Sequence, residues 1–191
     1  MRHKKRAQRN IGLDLDAKII ELWQKDLSDT CELHQVDAVA FLEAYSFEGH
    51  ELVYVDPPYF PETRRRSKVY HCDYSNEDHI RLLECLVSLP CNVMLSGYDC
   101  DLYNRELDGW RKVSFPAKAH TEVREETVWM NFESPSHLHD SRYLGETFRE
   151  RQTIRRRQTR LRNRINDLAP LERHDLLQWM QEHYGNAEEP A

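Results

Sequence analysis

The sequence predicts an α/β protein: a largely parallel sheet with helices between its strands, an antiparallel hairpin at one edge, and an Arg-rich αα-hairpin behind it. Three observations carry this prediction. Short apolar runs of strand length alternate with amphipathic runs of helix length along the first half of the chain. The last two strand-like runs have no helix between them, so they pair antiparallel. From Tyr143 onward the apolar positions thin out and arginines dominate.

Residues 10–16 read Asn-Ile-Gly-Leu-Asp-Leu-Asp, a short strand ending in acids, and residues 17–23 continue with Ile19, Ile20, Leu22 and Trp23 at helical spacing. Asp14 or Asp16 at this strand end serves either as a helix cap or as a carboxylate that accepts two hydrogen bonds from a diol. Residues 31–36 form the next strand, and residues 38–45 a helix with Asp37 at its N-terminus as the cap. That position also suits the rim of a ligand pocket.

The run Leu52 to Val55 has the length and β-branched content of a fully buried parallel strand, and it stops abruptly at Asp56-Pro57-Pro58-Tyr59. Pro57 cannot donate to a ladder, and the two prolines fix their own φ angles and push the preceding residues towards extended geometry. Asp56 and Tyr59 are therefore held rigidly at a strand's carboxyl end, where open α/β sheets bind ligands.

Residues 60–74 lack periodicity and interleave Arg64, Arg65, Arg66 and Lys68 with Tyr70 and Tyr74, a loop suited to phosphate contact and base stacking. Ser75 caps a strong amphipathic helix over 75–89, with Asp78 in capping-box position and a predicted buried face of Ile80, Leu82, Leu83, Leu86, Val87 and Leu89. Residues 91–95 make a second buried strand ending in Ser96-Gly97-Tyr98. A short helix follows over 101–107, then strands over 110–115 and 125–132 separated by a loop over 116–120. A long Arg-rich helix is predicted over 146–167, and Pro170 opens a second helix reaching residue 183.

The 191 residues fit one domain of ordinary size with an appendage. The net charge of -6 conceals an asymmetry: residues 1–9 carry five basic side chains and no acid, residues 10–145 carry 13 basic and 25 acidic, and residues 149–164 carry eight arginines against Glu150 alone. Clustered arginine is an electrostatic footprint for nucleic acid, and equally a feature of a solvated helix face. No apolar run approaches 18 residues, and the basic start is not followed by an apolar segment, so neither a membrane span nor a signal peptide is expected and the location is expected to be cytoplasmic. Five scattered cysteines without a C-x-x-C pair argue against a disulfide framework, and the spacing of His71, Cys72, His79 and Cys85 matches no zinc pattern, so no metal is expected.

Together, Asp56 to Tyr59, Lys68 with Tyr70, His79 with Leu82 and Leu83, Met94 to Tyr98, Leu102 with Tyr103, Trp110, and Arg124-Glu125-Glu126 with Trp129 and Asn131 resemble the Dam-like adenine-specific DNA methyltransferases, over roughly residues 9–165. The segment from Leu138 to Gly145 is similar to small phage or prophage members. The resemblance implies a Rossmann-like class I methyltransferase sheet over residues 1–137, with the Arg-rich helical appendage over 138–191. It implies methyl transfer from S-adenosylmethionine to the N6 amine of an adenine flipped out of double-stranded DNA. Asp56, Pro57, Pro58 and Tyr59 then form the catalytic tip, and Asp14 and Asp37 hold the cofactor's ribose and adenine. Arg64, Arg65, Arg66 and Lys68 of the loop, with Arg155, Arg156 and Arg157 of the long helix, contact DNA.

Two departures accompany the resemblance. The family's Lys-containing motif and Gly-rich loop, which hold the cofactor's methionine end, have no counterpart here, and by position the chain begins inside the helix that follows that loop. The sheet is then expected to be N-terminally incomplete, with an upstream segment or a partner polypeptide supplying the strand, or else the chain is a truncated, catalytically inactive DNA-binding remnant. The link from Trp23 to Cys31 is also short where many relatives insert a target-recognition region. Methylation of RNA or protein is a third, weaker expectation, because Asp-Pro-Pro-Tyr tips serve amino nitrogens in general.

Overall fold

The computed structural model describes residues 7–27, 29–63, 72–118, 123–135, 138 and 141–185. They divide into two compact units, Met1–Ser134 and Pro135–Ala191. Among the described residues no helix is long and apolar enough to cross a membrane.

The first unit holds strands β1 (Ile11–Asp14), β2 (Glu32–Gln35), β3 (Leu52–Val55), β4 (Asn92–Gly97), β5 (Arg111–Lys118) and β6 (Val123–Met130), with helices α1 (Ala17–Leu27), α2 (Ala38–Ala44), α3 (Asn76–Ser88) and α4 (Asp101–Glu106) between them. The strands form two sheets. β1 and β2 pair parallel, and β3, β4, β6 and β5 follow one another in that order. β3 and β4 are parallel with Val55 opposite Leu95, whereas β6 runs antiparallel to both β4 and β5.

α3 forms because Ser75 and Asp78 close both arms of a capping box: the Asp78 amide donates to Ser75 Oγ at 3.2 Å, and the Ser75 amide donates to Asp78 Oδ2 at 2.9 Å. Its apolar stripe then lies on the larger sheet. Leu82, Leu83 and Leu86 pack with Val93 and Leu95 of β4, Trp129 of β6, and Tyr103 and Leu107 around α4. Each fully buried leucine contributes roughly 1.5–3 kcal/mol. Val39 and Leu42 of α2 join the same core, and Phe41 of α2 lies against His34 of β2 with ring centroids 5.6 Å apart. Asn131 adds a polar clasp, accepting from the Val93 amide at 2.7 Å and donating to the Cys91 carbonyl at 2.9 Å.

Several expectations change. β3 is buried on one face only: Val53 and Val55 pack against the core, whereas Leu52 and Tyr54, on the opposite face, are 59% and 60% exposed. On α3, Ile80 and Val87 face outward, and His79 and Cys85 take buried places instead. Sidedness alone ranks apolar residues above His, but the His79 ring finds a polar partner inside, with Nδ1 2.9 Å from the Tyr103 hydroxyl. Ser96 and Gly97 belong to β4 rather than to a turn after it. The predicted loop at 116–120 is partly strand, since β5 continues through Pro116 opposite Glu125. Proline fits there because β5 is an edge strand with no partner on its outer side among the described residues.

The second unit carries α5 (Phe148–Asn166) and α6 (Pro170–Tyr184). Thr147 caps α5 by accepting from the Glu150 amide at 3.1 Å, and Glu172 accepts from the Ala169 amide at 3.1 Å at the start of α6. The Arg173 guanidinium clasps the link by donating to the Asn166 and Leu168 carbonyls. The helices do not pack along their lengths as an αα-hairpin would, and neither buries a residue. Charge explains why α5 forms no such seam: its eight arginines leave too few apolar positions to bury.

Candidate active site

The carboxyl end of β3 and its parallel neighbour β4 build the site. One step past the Val55–Leu95 pair, Asp56 meets Ser96. Ser96, only 7% exposed, donates from Oγ to Asp56 Oδ1 at 3.0 Å and lies 3.2 Å from the Val55 carbonyl. The Tyr54 hydroxyl is 3.0 Å from the same Oγ. Ser96 has a single proton, directed at Asp56 and Val55, so Tyr54 is the donor in that contact. A chain Tyr54 to Ser96 to Asp56 therefore fixes one carboxylate oxygen, while Asp56 itself is exposed.

Pro57 is buried and carries the tip inward, and the next aromatic anchors it. Phe60, 7% exposed, packs edge-on against the His79 ring at 5.2 Å between centroids. Between these anchors Tyr59 is half-buried and donates from its hydroxyl to Glu126 Oε1 at 3.2 Å. Burial raises the Tyr59 phenol well above its ordinary value, and the carboxylates of Glu126 and Asp56 add to the effect, so the hydroxyl stays a neutral donor.

The Tyr59 ring is also stacked. Tyr98 lies against it with centroids 4.2 Å apart and planes 24° from parallel. The Arg124 guanidinium covers Tyr98 at 5.5 Å from the ring centre and donates from Nη1 to the Tyr98 hydroxyl at 3.4 Å.

The two candidate cofactor acids take different roles locally. Asp14 accepts from the Asp16 amide at 2.8 Å, while Asp16 caps α1 by accepting from Lys18 at 2.9 Å. Asp37 caps α2 through Ala40 at 2.8 Å and also pairs with Arg81 Nη2 at 3.0 Å. It lines a cleft of about 290 Å³ with Leu15, Val39, Tyr74 and Arg81. The Tyr74 phenol is raised chiefly by burial, with the Asp37 charge next.

Of the DNA-contact candidates, Arg64, Arg65, Arg66 and Lys68 lie outside the described residues. Arg155, Arg156 and Arg157 are exposed on α5, in the second unit. Reading the sequence for single motifs missed Ser96, Tyr98, Arg124 and Glu126 as members of the site. A usable signal was present: Ser96 and Tyr98 are two apart at a strand's end, as are Arg124 and Glu126, and residues two apart share a face.

A family model described as D12 class N6 adenine-specific DNA methyltransferase matches residues 5–125. The chain belongs to this family. As a D12 class methyltransferase it has a family substrate, adenine in DNA, and a reaction class, methyl transfer to nitrogen. The match contains both sheets up to the beginning of β6 and the whole tip from Asp56 to Tyr59, and it leaves out α5 and α6. No curated protein matches the chain.

Proposed function

We propose that the chain methylates the N6 amine of an adenine flipped out of double-stranded DNA, with S-adenosylmethionine as donor and Asp56-Pro57-Pro58-Tyr59 as the reacting tip. The observation that carries this reading is the Ser96-held Asp56 carboxylate at the end of β3, beside an aromatic ring. When bound, the cofactor supplies an electrophilic methyl on a sulfonium sulfur. An aromatic amine is a poor nucleophile because its lone pair is spread into the ring. Asp56 and the Pro57 carbonyl each accept a hydrogen bond from the amine, which localises the lone pair and aims it. As the amine nitrogen takes the methyl and the methyl–sulfur bond breaks to leave a neutral thioether, the Asp56 carboxylate would accept the proton the amine must lose. Tyr59 stacks on the base, and its hydroxyl, held by Glu126, keeps the ring upright.

On this reading Asp14 would take the ribose diol, and the cleft lined by Asp37, Leu15, Val39 and Tyr74 would take the base of the cofactor's adenosyl end. For the methionine end no holding group is evident among the described residues. Arg155, Arg156 and Arg157, with Arg64, Arg65, Arg66 and Lys68, take the phosphates.

A second reading also has an observation behind it. The outer edge of β3 carries no strand among the described residues, and one face of that strand leaves Leu52 and Tyr54 exposed. This supports a DNA-binding protein without activity of its own, or a site completed when a further strand, from an upstream segment or another polypeptide, docks on that edge. Titrating S-adenosylmethionine calorimetrically into the purified chain, and assaying unmethylated plasmid DNA, separates the readings. Heat of binding with N6-methyladenine formation supports the enzyme, and neither supports the inactive protein. An in-frame Gly-rich strand-loop in the codons before Met1 supports the completed sheet.

A further inference from the structure

Resting on the adenine-site reading, we propose that Tyr98 holds the base's place: it occupies the stacking face of Tyr59 until a flipped adenine displaces it, and Arg124 is the latch that retains it. Three features of the molecule point there. First, Ser96 and Tyr98 lie two apart at the end of β4, and both engage the tip, Ser96 at Asp56 and Tyr98 at Tyr59. The carboxylate and the stacked ring thus stand on one side of the sheet end, and a base whose amine reaches Asp56 lies over Tyr59 where Tyr98 now lies. Second, the space is too small for both. Centroids 4.2 Å apart leave no layer for a purine, since an inserted ring requires the two tyrosines to separate by roughly one further stacking distance.

Third, the two rings are tethered unequally. Tyr59 follows two prolines and precedes the buried Phe60, and its hydroxyl is bonded to Glu126, so its backbone and ring are fixed. Tyr98 is half-buried just past the end of β4 and is held by a long 3.4 Å contact and a cation–π contact from Arg124, both of them weak at a partly exposed site. Tyr98 is therefore the ring that moves. In the DNA-free protein its presence keeps the apolar face of Tyr59 covered; on flipping, the base replaces one aromatic neighbour with another, and Tyr98 with Arg124 is freed towards the emptied position in the duplex.

The test compares two otherwise identical short duplexes, one fully paired and one with 2-aminopurine placed opposite a mismatched base, because mispairing lowers the cost of flipping and no recognition sequence is needed. The readout is the ratio of affinities by fluorescence anisotropy, with 2-aminopurine emission as the direct sign of unstacking. The intact protein prefers the mismatched duplex. Tyr98→Ala raises that preference about three- to tenfold, on the scale of one base–aromatic stack. Tyr98→Phe, which keeps the ring and its cation–π contact but loses the 3.4 Å bond, raises it less than Tyr98→Ala does, and Arg124→Gln, which removes both contacts, moves it in the same direction as Tyr98→Ala. Tyr59→Ala abolishes it. A preference that Tyr98→Ala lowers or leaves unchanged overturns the placeholder. A ratio of one in every protein, the intact one included, overturns the adenine-site reading beneath it.

Discussion

Ser96 Oγ sits 3.0 Å from Asp56 Oδ1 and 3.0 Å from the Tyr54 hydroxyl, so the exposed carboxylate at the end of β3 is oriented from the buried side of β4. A carboxylate free to rotate would spend much of its time away from a reacting amine. One held by a 7% exposed serine has a defined second oxygen to offer.

Replacing Ser96 by Ala therefore lowers kcat on the order of 10- to 100-fold while leaving KM for DNA nearly unchanged, because the bond removed positions the acceptor and does not hold the duplex. Tyr54→Phe acts in the same direction and more weakly, being one bond further away. Initial rates of methyl incorporation against DNA concentration resolve the two parameters.

In the core, Leu83→Ala and Leu86→Ala each destabilise the first unit by about 2–5 kcal/mol, since both side chains are fully buried against β4 and α4. Ile80→Ala and Val87→Ala, on the outer face of α3, change stability by roughly 0.5 kcal/mol or less. Urea unfolding of the four variants reports the difference as shifts in midpoint.

The capping box of α3 adds a pH dependence with a definite sign. Hydrogen bonds from the Ser75 amide and hydroxyl hold the Asp78 carboxyl below its ordinary value. A depressed folded-state value contributes stability that is fully present above the unfolded-state value and is lost as pH falls through the folded one. The contribution of Asp78 is thus intact at neutral pH and disappears below about pH 4. Ser75→Ala costs about 1 kcal/mol at pH 7 and flattens the acid limb of stability measured between pH 7 and pH 3.

For α5, changing Arg155, Arg156 and Arg157 to Gln weakens DNA binding uniformly across sequences. It also reduces the slope of log affinity against log salt by about 0.9 for each phosphate no longer neutralised, up to roughly 3 in total. Asp56→Ala leaves that slope untouched. Anisotropy titrations at several salt concentrations measure both.

Much of the fold was legible because its signals are local. Ser75 and Asp78 mark the start of α3, Pro90 its end, and Leu52 to Val55 followed by Asp-Pro-Pro places β3 to the residue. What escaped depends on partners. The exposure of Leu52 and Tyr54 follows from what covers their face of β3, and the continuation of β5 through Pro116 follows from its being at an edge. Neither is written in the residues themselves. His79 shows the same limit, since its buried place rests on Tyr103, 24 residues away. In the site, Asp56 and Tyr59 stood out as a contiguous motif. Ser96, Tyr98 and Glu126 lie in segments that carry the resemblance but do not read as part of the site, because parallel pairing of β3 with β4 and antiparallel pairing of β4 with β6 bring them to the tip.

The most direct measurement of the central claim is nucleoside analysis of unmethylated DNA after incubation with radiolabelled S-adenosylmethionine and either the intact protein or Asp56→Ala, with DNA binding checked in parallel. The intact protein forms N6-methyladenine and Asp56→Ala forms none at equal DNA affinity. N6-methyladenine formed equally by both proteins, or label found on another base, would contradict that claim.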